Sequence, residues 1–483
     1  MAESSLKNKT IISLFWSFID KFGQQLLNFV SMLILMNIVA AEDYGKIGSL
    51  AVFIAFSSII IDSGFGRALL NKKNLTPTDY STVFYFNIFL SIILYLVLFL
   101  FSPLLGNLFQ APDIVIISRV VFISLIINAF GLIHQTILIK IADFKGLSKI
   151  NLIALLFADI IAVAMAINNF GVWALVSQIV FYALFRTIFL WFYSNWKPIF
   201  DFSRESLKSF FSFSSKLLAT NTISALANNI YPSLIAIFYP MSQVAYFNQG
   251  KKYQDIPFIT MSNTFRSVAM LILSEINRDK ERLKRVVSKI IKSIAFISFP
   301  LGFAMIIIAE PLFFLFFNDK WLASVPYFQA LTFAGMLSPF VYIFNELFIA
   351  KEKAAYFLGI EIIKAVILIV LIIILLPKGL MALAVSWIVY IASTLIISVI
   401  LSNKLIKYNF IQFIKDTAPY LFNALASSFI AYIITLNISS SLLYVFINVL
   451  TIGVVYISIC MIFKLEMSNE IKKWFEKLKH NER

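Results

Sequence analysis

AAYFLGIEIIKAVILIVLIIILL, residues 354–376, is the stretch that decides the fold of this chain. A helix needs about 20 mainly apolar residues to cross the hydrocarbon core of a membrane, and this stretch is long enough. Its charged residues, Glu361 and Lys364, are three positions apart. On a helix they lie on the same side, where they can neutralise each other. The stretch therefore predicts a transmembrane helix.

Comparable stretches recur along almost the whole chain. Its 483 residues are 60% hydrophobic and 13% charged, far from the balance of a soluble domain. We therefore predict an all-α polytopic membrane protein with about fourteen transmembrane helices. The predicted spans are 10–40, 44–69, 80–103, 113–141, 147–167, 171–195, 207–239, 241–275, 284–317, 322–350, 354–376, 379–403, 417–437 and 440–463.

The net charge of +15 reflects the loops between these spans. Lys and Arg are concentrated in loops on one side, whereas the opposite loops carry little beyond Lys46, Lys320 and Lys378. Positively charged loops stay in the cytoplasm, so we expect the basic loops and both termini on the cytoplasmic side. The basic excess therefore does not indicate a nucleic-acid partner.

A sequence repeat divides the first twelve spans into two groups of six. At a constant shift of 208 residues, Gly171 matches Gly379 and Tyr182 matches Tyr390. An even number of spans per repeat predicts two parallel, pseudo-symmetric lobes with a substrate site at their interface. The predicted divisions are 1–205 for the first lobe, 206–408 for the second, and 409–483 for two further helices and a basic cytoplasmic tail.

Polar side chains form stripes along the first, seventh and eighth predicted helices, recurring every three or four positions. A helix that contacts only lipid should be apolar on every side. Hydroxyls, amides and cations can bind sugars and phosphate, although helix packing also explains the uncharged members. The candidate substrate-binding residues are Lys21, Gln24, Asn28, Lys216, Thr220, Asn228, Lys252, Asp255 and Arg266.

Two intramembrane carboxylates, Asp20 and Asp159, are candidates for ion coupling. Asp159 lies in mid-span with no basic residue at helical spacing on its own helix. It is therefore protonated, paired with another helix or part of an ion relay. Arg119, Arg186 and Glu346 lie near predicted helix ends, where long side chains can reach the membrane interface.

Several signatures of enzymes and metal proteins are missing. The sequence has no glycine-rich phosphate loop with Lys and Ser/Thr. A single cysteine, Cys460, cannot form a cysteine metal cluster. The predicted outward loops are short and leave little surface for catalysis. We therefore expect a transporter with no cofactor and no metal, rather than an enzyme.

Several short motifs, in their order and spacing, resemble a known family. The motifs are Leu14-Phe15-Trp16, Glu42-Asp43-Tyr44-Gly45, Asp62-Ser63-Gly64-Phe65, Gly171-Val172-Trp173-Ala174-Leu175 and Asp279-Lys280-Glu281-Arg282-Leu283. They resemble the polysaccharide-export, O-antigen flippase (Wzx-type) branch of the multidrug/oligosaccharidyl-lipid/polysaccharide exporter superfamily, in particular its colanic-acid-exporter-like members. That family commonly has Arg at the position of Asn37 and Pro at those of Ala41 and Leu271, so a role for that arginine does not carry over.

The resemblance implies two six-helix lobes around a central cavity, two C-terminal helices, and alternation between inward-open and outward-open states. It implies a flippase in the bacterial cytoplasmic (inner) membrane that moves an undecaprenyl-pyrophosphate-linked oligosaccharide to the outer leaflet. The expected partners are this substrate, membrane lipids, and a polysaccharide polymerase with its chain-length machinery.

Two alternatives remain open. A cation-coupled drug antiporter of the same superfamily would need an acidic cavity, whereas the stripes here are net basic. A membrane-embedded glycan-modifying enzyme would turn over its substrate without translocating it.

Overall fold

The structure is a computed structural model that describes residues 2–62, 65–72, 75–351 and 354–470. These residues form helices joined by short turns, with no strand among them, which confirms the predicted all-α class. The α-helices are α1 (Ala2–Ile38), α2 (Ala41–Ser49), α3 (Ala51–Asp62), α4 (Phe65–Asn71), α5 (Pro77–Leu108), α6 (Ile114–Lys140), α7 (Phe144–Ile167), α8 (Val172–Tyr193), α9 (Arg204–Phe238), α10 (Met241–Glu275), α11 (Lys280–Phe317), α12 (Val325–Ala350), α13 (Ala354–Leu375), α14 (Leu380–Ile406), α15 (Phe410–Thr435) and α16 (Ser441–Ile462).

Within the described residues, 12 helical segments are long and apolar enough to cross a membrane, with α2 and α3 forming one of them. Helices α1 and α9 have 37 and 35 residues and are also long enough to cross a membrane. They coincide with the first and seventh predicted spans. Together these segments agree with the prediction of about fourteen membrane helices, and the chain is a multi-pass membrane protein.

Local side-chain contacts explain where several helices begin. Thr76 and Asp79 form a capping box at the start of α5: the Asp79 amide donates to Thr76 Oγ1 at 3.2 Å, and the Thr76 amide donates to Asp79 Oδ2 at 2.9 Å. At the start of α11, Asp279 Oδ1 accepts a hydrogen bond from the Arg282 amide at 2.9 Å. Such caps satisfy amides that have no partner inside the helix.

The chain divides into two compact units, Met1–Ala245 and Tyr246–Arg483. In the first unit, α7 packs on α1 and α8, α6 packs on α5 and α8, and α9 packs on α3. In the second unit, α12 packs on α14, and α11 packs on α12, α15 and α16. The lobe divisions 1–205, 206–408 and 409–483 come from the sequence repeat and stay a prediction.

The repeat itself has a counterpart in the backbone. Gly171 precedes α8 with φ 55°, and Gly379 precedes α14 with φ 98°. Glycine adopts positive φ without the steric cost that other residues meet there. Matching glycines 208 positions apart therefore begin matching helices, one in each unit.

A polar network fastens the last two helices to α11. Asp416 on α15 is 2% exposed and accepts hydrogen bonds from Ser288 Oγ at 2.6 Å and Tyr408 Oη at 2.8 Å. Lys292 on α11 lies 3.6 Å from Asp416 and 2.6 Å from Glu466, which follows α16. Burial raises the pKa of Tyr408, so its hydroxyl remains a neutral donor to Asp416.

Candidate substrate-binding site

Helix α10 exposes polar side chains along most of its length in the second unit. Between residues 250 and 275 the exposed polar residues are Lys252, Thr260, Asn263, Thr264, Arg266, Ser267, Ser274 and Glu275. On α13, in the same unit, every exposed side chain between residues 362 and 374 is Ile or Val. Hydrocarbon suits the exposed side of α13 but cannot hydrogen-bond the polar face of α10. That face therefore has the chemistry to contact water or a polar substrate.

The charged residues predicted on α10 have different environments. Lys252 is exposed and has no ionic or hydrogen-bond partner among the described residues. Asp255 is partly buried and lies 2.7 Å from Lys251 Nζ, with a further hydrogen bond from Gln254. Lys251 also lies over the ring of Trp387, 4.8 Å from its centroid. Asp255 is thus neutralised by its own helix, while Lys252 remains open to a ligand.

Arg266 is paired with a buried acid on the neighbouring helix α12. Its Nε donates to Oε1 of Glu346. The Glu346 side chain is 3% exposed, whereas that of Arg266 is 51% exposed. The prediction that Glu346 reaches the membrane interface is therefore wrong, because this carboxylate points into the protein towards Arg266. Spacing along the chain does not predict this pair, since its members are 80 positions apart.

On α1 the predicted polar stripe divides between two environments. Lys21 and Asn28 are exposed, whereas Asp20 is 8% exposed. Gln24 lies with Asp20, because its Nε2 donates to Asp20 Oδ1 at 2.8 Å. Asn28 Nδ2 donates to the backbone oxygen of Gln24 at 2.8 Å. Of the α1 candidates, Lys21 and Asn28 thus remain accessible, and Gln24 supports Asp20.

Asp20 belongs to a network that joins α1, α7 and α8. Asn151 Nδ2 donates to Asp20 Oδ1 at 3.1 Å, and Asn151 Oδ1 accepts from Arg186 Nε at 2.9 Å. Arg186 is partly buried and uses its Nε for this contact. One asparagine amide links the carboxylate to the guanidinium inside the first unit.

Asp159 lies in a different polar contact of the same three helices. Its Oδ1 accepts a hydrogen bond from Gln178 Nε2 at 2.7 Å, and Gln178 also donates to Ser31 Oγ at 3.1 Å. Asp159 is 6% exposed, and its Oδ2 has no hydrogen-bond partner within the part of the chain that the structure describes. Of the three possibilities, Asp159 thus contacts another helix, α8, through an uncharged amide.

The remaining candidates of the seventh predicted helix lie on α9. The side chains of Lys216, Thr220 and Asn228 lie outside the described residues.

The pairing predicted on α13 is confirmed, since Lys364 Nζ lies 2.8 Å from Glu361 Oε1.

The Glu42-Asp43-Tyr44-Gly45 motif lies beside a cavity that the sequence did not predict. This cavity, in the first unit, has a volume of about 420 Å³. Glu42 lines it together with Phe109, Gln110 and Ala111 from the α5–α6 turn and residues 236–242 from the α9–α10 turn. The sequence motifs do not indicate a role for Lys46, the next residue of the same helix. Its Nζ lies 2.6 Å from Asp113 and 3.0 Å from Glu42. Its role needs contacts from other helices, which spacing along the sequence does not reveal.

Comparison with known proteins assigns the family. The profile of the polysaccharide biosynthesis protein family matches residues 34–326, more than half of the chain. The chain belongs to this family. The match confirms the resemblance that the motifs indicated.

Two curated relatives and one solved structure are similar to the chain. Teichuronic acid biosynthesis protein TuaB of Bacillus subtilis (strain 168) is 25% identical over 345 residues, 70% of this chain and 71% of TuaB. Succinoglycan biosynthesis transport protein ExoT of Rhizobium meliloti (strain 1021) is 22% identical over 325 residues, 67% of this chain and 66% of ExoT. The structure of lipid II flippase MurJ in an inward closed conformation matches with a TM-score of 0.78 at 15% identity, over 94% of this chain and 99% of MurJ. At that identity the likeness to MurJ concerns the fold.

Proposed function

We propose that this protein is a flippase for a lipid-linked oligosaccharide. The cargo is an undecaprenyl-pyrophosphate-linked polysaccharide repeat unit, moved from the cytoplasmic to the outer leaflet of a bacterial inner membrane. Family membership supports the pathway, and the names of ExoT, a transport protein, and MurJ, a flippase, support the activity. The structural observation that carries the proposal is the exposed polar face of α10, with Lys252 and Arg266 on it.

The physical problem for such a protein is to carry a sugar diphosphate past hydrocarbon. An isolated anion in a medium of low dielectric costs many kcal/mol, so the headgroup needs a hydrated, basic surface. Hydroxyl and amide groups of α10, such as Thr260 and Asn263, can replace water around the sugars. The membrane potential adds about 2.3 kcal/mol per 100 mV for each negative charge that moves outward. Tight binding is therefore unnecessary, and transient contacts suffice.

The candidate residues take different parts in this proposal. Lys21, Asn28, Lys252 and Arg266 are exposed and would contact the cargo directly. Lys216, Thr220 and Asn228 are proposed for the same role on their sequence pattern. Gln24 and Asp255 would support charged neighbours, because both bond within their own helices.

We propose that Asp159, rather than Asp20, couples transport to a proton gradient. Asp20 and Arg186 are joined through Asn151, so Asp20 has a cationic counterpart. The groups that face Asp159 are uncharged, Ser31 from α1 and Gln178 from α8. Asp159 Oδ2 has no hydrogen-bond donor among the described residues, so a proton can bind there without breaking a hydrogen bond.

The same proposal includes cytoplasmic termini, alternating access between the two lobes, and partnership with a polysaccharide polymerase and its chain-length machinery.

Exposed cations favour a phosphate-bearing cargo over the cationic drugs of the antiporter alternative. The described acids of α10, α12 and α13 at depth, Asp255, Glu346 and Glu361, are each paired with a Lys or Arg.

Reconstitution tests the proposal. Lipid-linked oligosaccharide from the source cells, labelled with a dithionite-reducible fluorophore on the sugar, is placed in liposomes with or without the purified protein. We expect the protein to expose the protected half of the label to dithionite, and Lys252→Glu to slow this exposure. Lys404→Glu, an exposed lysine at the end of α14, is the matched control and should behave as wild type.

Each alternative has its own outcome in this assay. A protected fraction equal to that of protein-free liposomes contradicts flipping. An altered glycan mass after incubation indicates the glycan-modifying enzyme. Uptake of a cationic dye against an ion gradient, without movement of the labelled lipid, indicates the drug antiporter.

A further inference from the structure

We propose that Glu346 is a positioning residue that orients the Arg266 guanidinium to receive the diphosphate of the cargo. The inference rests on the proposed function for the identity of that diphosphate. The inference adds to the proposed function by assigning the group that captures the headgroup and the buried acid that holds this group in place.

The pair is asymmetric in a way that leaves one edge of the guanidinium free. Arginine has five N–H donors in a fixed planar fork, and in Arg266 the Nε–H donor is engaged by Glu346. No other ion pair of Arg266 occurs among the described residues. The two Nη groups therefore remain to bind two oxygens of a phosphate side by side, which a lysine ammonium cannot do.

Burial decides which partner presents itself to a ligand. The acid is 3% exposed and the arginine 51% exposed, so the negative charge lies behind the positive one as seen from the exposed face of α10. An approaching anion meets the guanidinium first. The ion pair also fixes one orientation of a long side chain before the ligand arrives, which reduces the entropy lost on binding.

Polar side chains on α10 and α12 lie near the guanidinium, together with the exposed apolar side chain of Met270. Asn263 lies one turn before Arg266 and Ser267 directly after it, and both are exposed. Tyr342 lies one turn before Glu346 and is 38% exposed. Their amide and hydroxyl groups can hydrogen-bond the remaining phosphate oxygens or the first sugar.

The depth of the pair matches a headgroup in the inner leaflet. Arg266 is nine residues before the end of α10 at Glu275, or about 14 Å at 1.5 Å per residue. Glu346 is four residues before the end of α12 at Ala350, or about 6 Å. Both ends lie on the predicted cytoplasmic side. Lys252, by contrast, lies 14 residues before Arg266, about 21 Å further towards the opposite side. The arginine is therefore placed for capture, before translocation begins.

Inorganic pyrophosphate tests the inference without any transport. We expect it to raise the melting temperature of the purified wild-type protein. Glu346→Gln should weaken this effect by about tenfold in apparent affinity, since a neutral amide holds the guanidinium less firmly than a carboxylate does. Glu281→Gln, an exposed acid in the first turn of α11, is the control and should bind pyrophosphate as wild type does. Equal protection of Glu346→Gln and wild type would overturn the inference.

A charge swap separates positioning from a purely structural pair. Arg266→Glu combined with Glu346→Arg keeps opposite charges on the same two helices, and we expect it to recover melting temperature and abundance relative to Arg266→Glu alone. Pyrophosphate protection and lipid transport should stay lost, because the exposed group is now an acid. Recovery of both by the swap would overturn the inference. If wild type binds pyrophosphate through Arg266 and Glu346 yet moves no lipid, the flippase proposal fails while the positioning role stands.

Discussion

Gly45 in α2 lies so close to Met241 that a Cβ atom on Gly45 would be 1.8 Å from the Met241 carbonyl oxygen. Two non-bonded heavy atoms cannot approach so closely, so only glycine fits between these backbones. The same short helix holds Lys46 against Asp113, the residue before α6, at 2.6 Å. The Glu42-Asp43-Tyr44-Gly45 motif thus holds α2 against the α9–α10 turn, next to the start of α6.

Gly45→Ala is therefore expected to destabilise the protein. The new methyl group must displace a backbone carbonyl, and such overpacking costs about 1–3 kcal/mol. A lower melting temperature in detergent and lower abundance in membranes would be measured. Gly453→Ala in α16 is the matched control, since a Cβ there meets no atom within 4 Å. Equal melting temperatures of the two variants would contradict this account of the motif.

The Asp20–Asn151–Arg186 network predicts non-additive mutations. Arg186→Met leaves Asp20 without its cationic counterpart, so it should destabilise strongly in the wild-type background. In an Asp20→Asn background the same change should cost less, with a coupling of more than about 1 kcal/mol, within the range seen for residues of one network. Thermal unfolding of the four proteins measures this cycle. Simple additivity would mean that the network contributes nothing as a unit.

The sequence predicted those features that depend on one helix at a time. Residues 354–376 predict a span because each membrane helix satisfies its own backbone hydrogen bonds. Glu361 and Lys364 were predictable as a pair because both positions lie on one side of the same helix. Gly171 and Gly379 were found as a repeat, and each precedes a helix with positive φ.

Contacts between helices could not be predicted from the sequence. The contacts of Arg186 and Glu346 cannot be predicted from their own helices, because their partners, Asn151 and Arg266, lie on other helices. Spacing along one helix shows which residues share a side, but not which neighbour that side meets. The polar stripe of α1 shows the same limit, because Asp20 and Lys21 are adjacent in sequence but differ in burial.

The proposed topology predicts which turns can be labelled from outside. Cys460 is buried and is replaced by serine to give a background without cysteine. Single cysteines at Asn168, Asp319 and Ser440, all exposed, should react with a membrane-impermeant maleimide in intact cells. These positions avoid Asn169 and Asn318, whose positive φ would strain a cysteine.

Cysteines at Arg278 and Lys404, both exposed, serve as the cytoplasmic counterparts. They should react only after the membrane is permeabilised, because the basic loops are expected inside. The reverse labelling pattern would invert the topology and would place the Arg266–Glu346 pair near the outer leaflet.

Asp159 is expected to make transport sensitive to a proton gradient. Its Oδ1 accepts from Gln178 at 2.7 Å, and its Oδ2 has no hydrogen-bond partner among the described residues. Asp159→Asn retains an oxygen for Gln178 but cannot exchange a proton. Wild-type transport in proteoliposomes should therefore accelerate when the predicted outer side is made acidic, whereas the variant should run at the gradient-free rate. Asp20→Asn should lower thermal stability yet keep the response, because Asp20 is linked to Arg186. An Asp159→Asn protein that still responds to the gradient would contradict the role of Asp159 in proton coupling.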